Sequence, residues 1–239
     1  MKNKLSHIKL IAVLALSVFM FGFSAKRNAE RKIAEPTIVF IGKSEPFITA
    51  ETVSKLLIQN QQAVTNKPKE TLDLNKLEAA LNSNSMIKSA QVFLHIDGAL
   101  KVEIEQKKPI ARVHAQESYY IDDQGFYMPL SNNHTARVPL VTGQVKKDKL
   151  TQVFRVADKV HKDNFLRTNV VQIHQNQDET LWLKLRNYDF IVELGSIKQL
   201  DKKINNLKAF YKKGLKDKVL HNYARVNLKF DNQVVCTKT

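Results

Sequence analysis

Hydrophobic residues follow three patterns along the chain. The first is an unbroken run of uncharged, mostly apolar residues from Leu10 to Phe23. Beyond it, short β-branched runs and alternating segments predict strands, and apolar residues spaced three and four apart predict amphipathic helices. One apolar run followed by mixed helices and strands predicts a membrane-associated α+β protein.

The apolar run has two main interpretations, an uncleaved anchor or a cleaved signal peptide, and both fit its basic start. A cut after Ala25 would place the bulky Phe23 three residues before the bond, which is a poor cleavage site. The sequence therefore favours an anchor over residues 10–25, preceded by a short cytoplasmic tail over residues 1–9. A buried helix of a soluble protein is the third interpretation.

The predicted anchor is short, and charge does not decide its orientation. A helix over residues 10–25 spans about 24 Å, against roughly 30 Å for the hydrocarbon core. We expect Lys9 and Lys26 to snorkel to the two interfaces and close part of the gap. Basic residues flank both ends, so the positive-inside rule is indecisive.

Residues 37–107 are predicted to form a compact strand-helix-helix-strand-strand unit. Thr49 and Asp73 are candidate N-caps of its two helices. Alternating segments flank Asp97-Gly98, which predicts a hairpin whose two central residues adopt positive φ. The two helices would cover one face of a small sheet.

Residues 108–239 are predicted to form a second, β-rich domain with two flanking helices, and residues 26–36 form a charged juxtamembrane linker. The two helices are expected over residues 148–162 and 197–213. Ser196 would cap the second helix, and Gly214 would end it. The predicted fold class is thus α+β, with one transmembrane helix and two extramembrane domains.

No residue pattern indicates catalysis, a cofactor or a metal site. The histidines are dispersed, and no glycine-rich phosphate loop or nucleophile elbow occurs. Asp122 and Asp123 precede Gly125 and are interpreted as a turn rather than a carboxylate pair. The single cysteine, Cys236, excludes an intrachain disulfide.

The net charge of +15 would suit nucleic acid, anionic lipid or an acidic partner. However, the basic residues are scattered, and no nucleic-acid-binding signature accompanies them. Lysines on the last helix, including Lys203 and Lys208, are interpreted as a solvated face, with contact to anionic lipid or an acidic partner as the alternative. No nucleic-acid partner and no small-molecule substrate are predicted.

Four segments resemble the FtsQ/DivIB family of cell-division proteins. Residues 106–112 resemble its "xPxAR" junction, and Tyr120-Ile-Asp122 with Gly125 resembles its "yyIDxxG" hairpin. Residues 138–143 resemble its "lPxltG" strand, and residues 224–236 resemble the last strand pair in one branch of the family. The resemblance covers almost the whole chain and implies that the first unit is a POTRA domain.

The resemblance implies a scaffold of the bacterial division apparatus rather than an enzyme. Such proteins bind FtsB and FtsL and help to control septal peptidoglycan synthesis. It also implies a single-pass protein of the cytoplasmic membrane, with its large domains on the periplasmic side at the septum. The alternatives are a POTRA-bearing component of another envelope export or assembly system and a membrane-anchored cell-wall hydrolase or synthase.

The implied binding mechanism is β-augmentation, in which an exposed edge strand accepts a strand from a partner. The leading candidate is the terminal strand pair over residues 224–236, with the helix over residues 197–213 beside it. The edge around residues 37–41 is a second, weaker candidate. The competing interpretation is that its polar residues are merely solvated. The predicted partner-contact residues are Arg225, Asn227, Leu228, Lys229, Phe230, Val234 and Val235.

Overall fold

The chain divides into two compact units, Met1–Gln106 and Lys107–Thr239. The computed structural model describes residues 2–29, 34–42, 46–61, 72–231 and 233–239. Residues 30–33 of the predicted linker lie outside the described residues.

The first helix, α1, runs from Lys2 to Ala29 and is longer than the apolar run. Its segment Lys9–Arg27 has 19 residues, all of them exposed, and is the one helix in the described part of the chain long and apolar enough to cross a membrane. This segment spans about 28 Å. The continuous helix therefore removes most of the length deficit expected for the predicted anchor.

The first unit has the predicted strand-helix-helix-strand-strand order. Its sheet has the strand order β1-β3-β2, in which β3 pairs parallel with β1 and antiparallel with β2. The apolar residues of both helices share one buried cluster with the sheet. The elements are β1 (Thr37–Phe40), α2 (Ala50–Gln61), α3 (Leu74–Asn82), β2 (Ile87–Leu94) and β3 (Leu100–Gln106).

Both predicted N-caps of this unit are confirmed. The hydroxyl of Thr49 accepts the N–H of Thr52 at 3.2 Å, and the carboxylate of Asp73 accepts the N–H of Lys76 at 3.1 Å. Each bond satisfies one of the free N–H groups of a first helical turn. The sequence therefore predicts correctly where α2 and α3 begin.

The β2–β3 hairpin turns at Asp97-Gly98 as predicted, but through a different loop. His95 donates its N–H to the Ala99 carbonyl at 2.9 Å, and Gly98 donates to the His95 carbonyl at 3.1 Å. This is a three-residue loop in which only the last residue, Gly98 (φ 93°), is left-handed. The expectation that Asp97 also has positive φ is wrong, because the loop is one residue longer than a two-residue turn.

The second unit contains one nine-stranded sheet with the order β12-β11-β10-β9-β8-β7-β4-β5-β6. A short helix, α5 (Asn164–Asn169), was not predicted. A short 3₁₀ helix, Leu220–Asn222, precedes β11. The elements are β4 (Pro109–Val113), β5 (Tyr119–Asp122), β6 (Tyr127–Pro129), β7 (Leu140–Gly143), α4 (Thr151–Lys162), α5 (Asn164–Asn169), β8 (Val170–Gln175), β9 (Leu181–Leu185), β10 (Ile191–Gly195), α6 (Leu200–Lys216), β11 (Tyr223–Asn227) and β12 (Val235–Lys238).

One row of buried apolar side chains crosses the middle of this sheet from β7 to β11. Strand pairing aligns these residues side by side, and each is fully buried. The same cluster contains the apolar stripes of α4 and α6, so both helices pack on this face. The row consists of Val141, Ile173, Leu183, Val192 and Val226.

Helix α6 begins and ends later than predicted. Its N-cap is Gln199, in a left-handed conformation (φ 53°), rather than Ser196. Gly214 lies inside the helix on its buried side, and the side chain of Leu220 occupies the space that a Cβ would need. Gly214 therefore provides room for packing rather than a helix stop.

Candidate functional site at the sheet edges

The described strands form two sheets with four edge strands: β1 and β2 in the small sheet, β6 and β12 in the large one. An open edge presents unpaired N–H and C=O groups and can accept a strand from another chain. The predicted binding mechanism therefore depends on which of these edges are open.

The edge of β2 is closed by side chains of α3. The carboxylate of Glu78 accepts the N–H of Val92 at 2.7 Å. The amide of Asn82 accepts the N–H of Ala90 at 2.8 Å and donates to the Ala90 carbonyl at 3.3 Å. Asn82 thus makes the two hydrogen bonds that a neighbouring strand would make to Ala90. A partner strand therefore cannot pair with this edge.

The edge of β6 is also protected. The strand has only three residues and ends at Pro129, which has no N–H to offer. The ammonium group of Lys107 donates to the carbonyl of Tyr127 at 3.3 Å. The same ammonium lies 3.1 Å from the fully buried carboxylate of Asp122. A short, capped edge of this kind is a poor acceptor for a partner strand.

The predicted terminal strand pair is present, but only its second strand is an edge. β11 pairs parallel with β10 and antiparallel with β12. Both sides of β11 are therefore occupied, because the chain turns back and adds β12 on the outside. The prediction that residues 224–236 form the edge is wrong for β11, and the acceptor edge is confined to Val235–Lys238.

The backbone of β12 alternates between its inner and outer sides. Thr239 donates its N–H inward to the carbonyl of Asn222 at 3.1 Å. Since the backbone groups of successive strand residues point to opposite sides, those of Thr237 also face β11. The N–H and C=O groups of Cys236 and Lys238 then face outward, where a partner strand would bind.

Leu228 cannot be a contact residue, contrary to the prediction. Its side chain is 1% exposed, and its N–H donates to the carbonyl of Glu193 at 2.9 Å. It lies two residues beyond the buried Val226, so its side chain points to the same buried face of the sheet. Val234 is half-buried and packs against the core. Alternation alone did not distinguish the sheet core from an accessible surface.

Phe230 and Val235 are the accessible apolar residues of the predicted set. Phe230 is 47% exposed and Val235 is 40% exposed. Phe230 precedes the turn between β11 and β12, and Val235 begins the edge strand. An apolar partner residue could therefore cover them while its backbone pairs with β12.

The polar members of the predicted set form a network with Glu193, which the prediction missed. Arg225 Nη1 lies 2.6 Å from one carboxylate oxygen of Glu193, and Lys229 Nζ lies 3.1 Å from the other. Asn227 accepts the N–H of Lys229 at 2.9 Å. Burial alone would raise the pKa of Glu193, but hydrogen bonds from Lys229 and Arg225 outweigh it and hold the pKa below its usual value.

The positive charge of Arg225 and Lys229 is largely balanced, because Glu193 contacts both cations and the carboxylate of Asp178 also acts on Lys229. Glu193 lies between the buried Val192 and Leu194, so its side chain points to the other face of the sheet, as that of Arg225 does. This alternation is the sequence signal that could have identified Glu193. The side chain of Arg225 is nevertheless 59% exposed, so an acidic group on the partner would be favoured beside it.

Lys203 is buried rather than solvated, contrary to the prediction. Its ammonium donates to the carbonyls of Leu194 and Ser196 at 2.8 and 2.7 Å. Burial lowers the pKa of Lys203, and the nearby Asp231 carboxylate offsets part of this effect. The lysine ties α6 to the end of β10. Another predicted solvated residue, Lys208, forms an ion pair with Asp163.

A family model described as FtsQ/DivIB, C-terminal related, matches residues 108–237, more than half of the chain. The chain belongs to the FtsQ/DivIB family. A POTRA-like domain model also matches, over residues 42–105. No curated protein matches the chain.

Membership of the FtsQ/DivIB family confirms the resemblance drawn from the sequence. It identifies a division-related, POTRA-bearing protein of a non-enzymatic scaffold family. The family domains indicate protein–protein interactions in division. Together with α1, they indicate a single-pass membrane protein. In the C-terminal unit of this family member, β12 is the open edge of the large sheet.

Proposed function

We propose that this chain is a membrane-anchored scaffold of the bacterial division apparatus that helps to control septal peptidoglycan synthesis. Its short N-terminal tail lies in the cytoplasm, and its POTRA-like and β-rich domains lie on the periplasmic side at the septum. We assign residues 37–107 and 108–239 to these two domains. The partners are FtsB- and FtsL-type division proteins, and no cofactor or small-molecule substrate takes part.

The observation that carries this proposal is the contrast between the two edges of the large sheet. β6 is short and capped by Lys107, whereas β12 turns the backbone groups of Cys236 and Lys238 outward. Main-chain bonds to an edge strand supply affinity, and flanking side chains supply selectivity. Family membership supports a division partner as the occupant of this edge.

The side chains around β12 define the partner segment. It pairs with Val235–Lys238 as an extended strand and covers the exposed Val235 and Phe230 with apolar residues. An acidic residue in this segment lies near Arg225, whose side chain is 59% exposed although it pairs with Glu193. Burial of apolar area and a charge pair at the rim would then act together.

Depletion of the protein in growing cells, followed by microscopy, tests the proposed role. We expect cells that elongate or form chains without completing septa, because the scaffold would no longer recruit its partners. Complementation by the full chain should restore septation. Normal septation after complete depletion would contradict the proposal, and altered outer-membrane protein levels in such cells would instead support an envelope-assembly role.

A further inference from the structure

β1 is an edge strand that no side-chain hydrogen bond from the described residues closes, unlike β2 and β6. Residues 37–41 contain no charged side chain, and Val39 is 37% exposed. Natural proteins usually protect such edges with charges, prolines, bulges or a covering element. The same unit closes its opposite edge with Glu78 and Asn82. Within the described residues, β1 is thus an uncharged edge left open in a sheet whose opposite edge is closed. This contrast indicates that another strand covers it.

The backbone of β1 has a defined outer side. Ile41 donates its N–H to the carbonyl of Ile104 on β3 at 2.8 Å. By alternation, Val39 also faces β3, and the N–H and C=O groups of Ile38 and Phe40 face outward. The side chains of Ile38 and Phe40 pack against the core. Those of Val39 and Ile41 are exposed on the opposite face.

We propose that β1 pairs antiparallel with β1 of a second copy of this chain. Outward bonding by Ile38 and Phe40 fits a register centred on Val39, in which Ile38 of each copy faces Phe40 of the other. Val39 then faces its own equivalent as a non-hydrogen-bonded pair, with Cα atoms about 4.5 Å apart. The arrangement is self-complementary, as a two-fold interface requires.

Two features favour a second copy as the occupant. Only seven residues separate the end of α1 at Ala29 from Thr37, and the eight steps between these two residues span at most about 29 Å. In two anchored copies, both β1 strands are therefore held near the same membrane surface. In addition, an uncharged strand pairs with its own copy without like-charge repulsion, and apolar Val39 meets Val39.

A cysteine at position 39 tests the proposed pairing in the full chain in its membrane. In a Cys236→Ser background, Val39→Cys should give mainly disulfide-linked dimers on oxidation, because the expected Cα separation suits a disulfide. The matched control is Ile96→Cys, which is more exposed and lies at the β2–β3 loop. It should give only background cross-linking.

A second variant tests the same contact without oxidation. Val39→Lys places two like charges opposite each other across the pairing axis. It should lower co-purification of two differently tagged copies by at least about fivefold, whereas Ile96→Lys should not. Cross-linking of Val39→Cys no greater than that of Ile96→Cys, or undiminished co-purification of Val39→Lys, would overturn the proposal.

Discussion

Replacing Asp122 by alanine is expected to lower the free energy of unfolding of the C-terminal unit by about 3–5 kcal/mol. The carboxylate is fully buried and accepts the N–H groups of Gln124 and Phe126 at 3.0 and 2.7 Å. Its other oxygen lies 3.1 Å from Lys107 Nζ. Alanine leaves two N–H groups without their acceptor and a largely buried ammonium without its counter-charge.

The fluorescence of Trp182, the single tryptophan of the chain, reports unfolding of this unit in urea. Asp122→Asn should cost less, on the order of 1–3 kcal/mol, since it keeps a neutral acceptor. The matched control is Asp148→Ala, at an exposed site, where we expect a change within about 0.5 kcal/mol. A loss for Asp122→Ala no larger than this control would refute the structural role of the buried pair.

Replacing Lys238 by proline is expected to weaken partner binding at least about tenfold. Proline removes an N–H that faces away from β11, so the β11–β12 pairing stays intact while the outer edge loses a donor. Lys238 is exposed, and its replacement leaves the core unchanged. Co-purification of FtsB- and FtsL-type partners with the full chain measures the effect.

Lys238→Ala is the matched control, because it removes the same side chain and keeps the N–H. We expect binding by this control close to that of the unchanged chain. Trp182 fluorescence should show that both variants are folded. A folded Lys238→Pro protein that binds its partners with unchanged affinity would show that β12 is not the acceptor edge.

Local signals in the sequence predicted much of the fold. The caps at Thr49 and Asp73 depend on neighbouring residues, and the Asp122–Gly125 turn depends on bonds within five residues. The alternation of apolar and polar residues located the strands, because it too is a pattern of neighbouring residues. The order of elements in the first unit followed from these local features.

The edges could not be predicted, because strand pairing joins distant residues. Nothing within residues 224–236 shows that β11 has a neighbouring strand on each side. Nothing there shows either that the side chain of Leu228 points to the buried face of the sheet. The closure of β2 depends on Asn82 meeting Ala90 across a helix–strand contact. The same holds for Lys203, because its carbonyl partners are Leu194 on β10 and Ser196 just after that strand.

Hydrogen exchange along β12, with and without FtsB- and FtsL-type partners, tests strand addition most directly. In the free full chain, the outward N–H groups of Cys236 and Lys238 should exchange fast, and that of Thr237 should be protected by β11. Partner binding should slow exchange at Cys236 and Lys238 and leave the closed edge of β2 unchanged. Bound partners with unaltered exchange at both β12 positions would contradict the account.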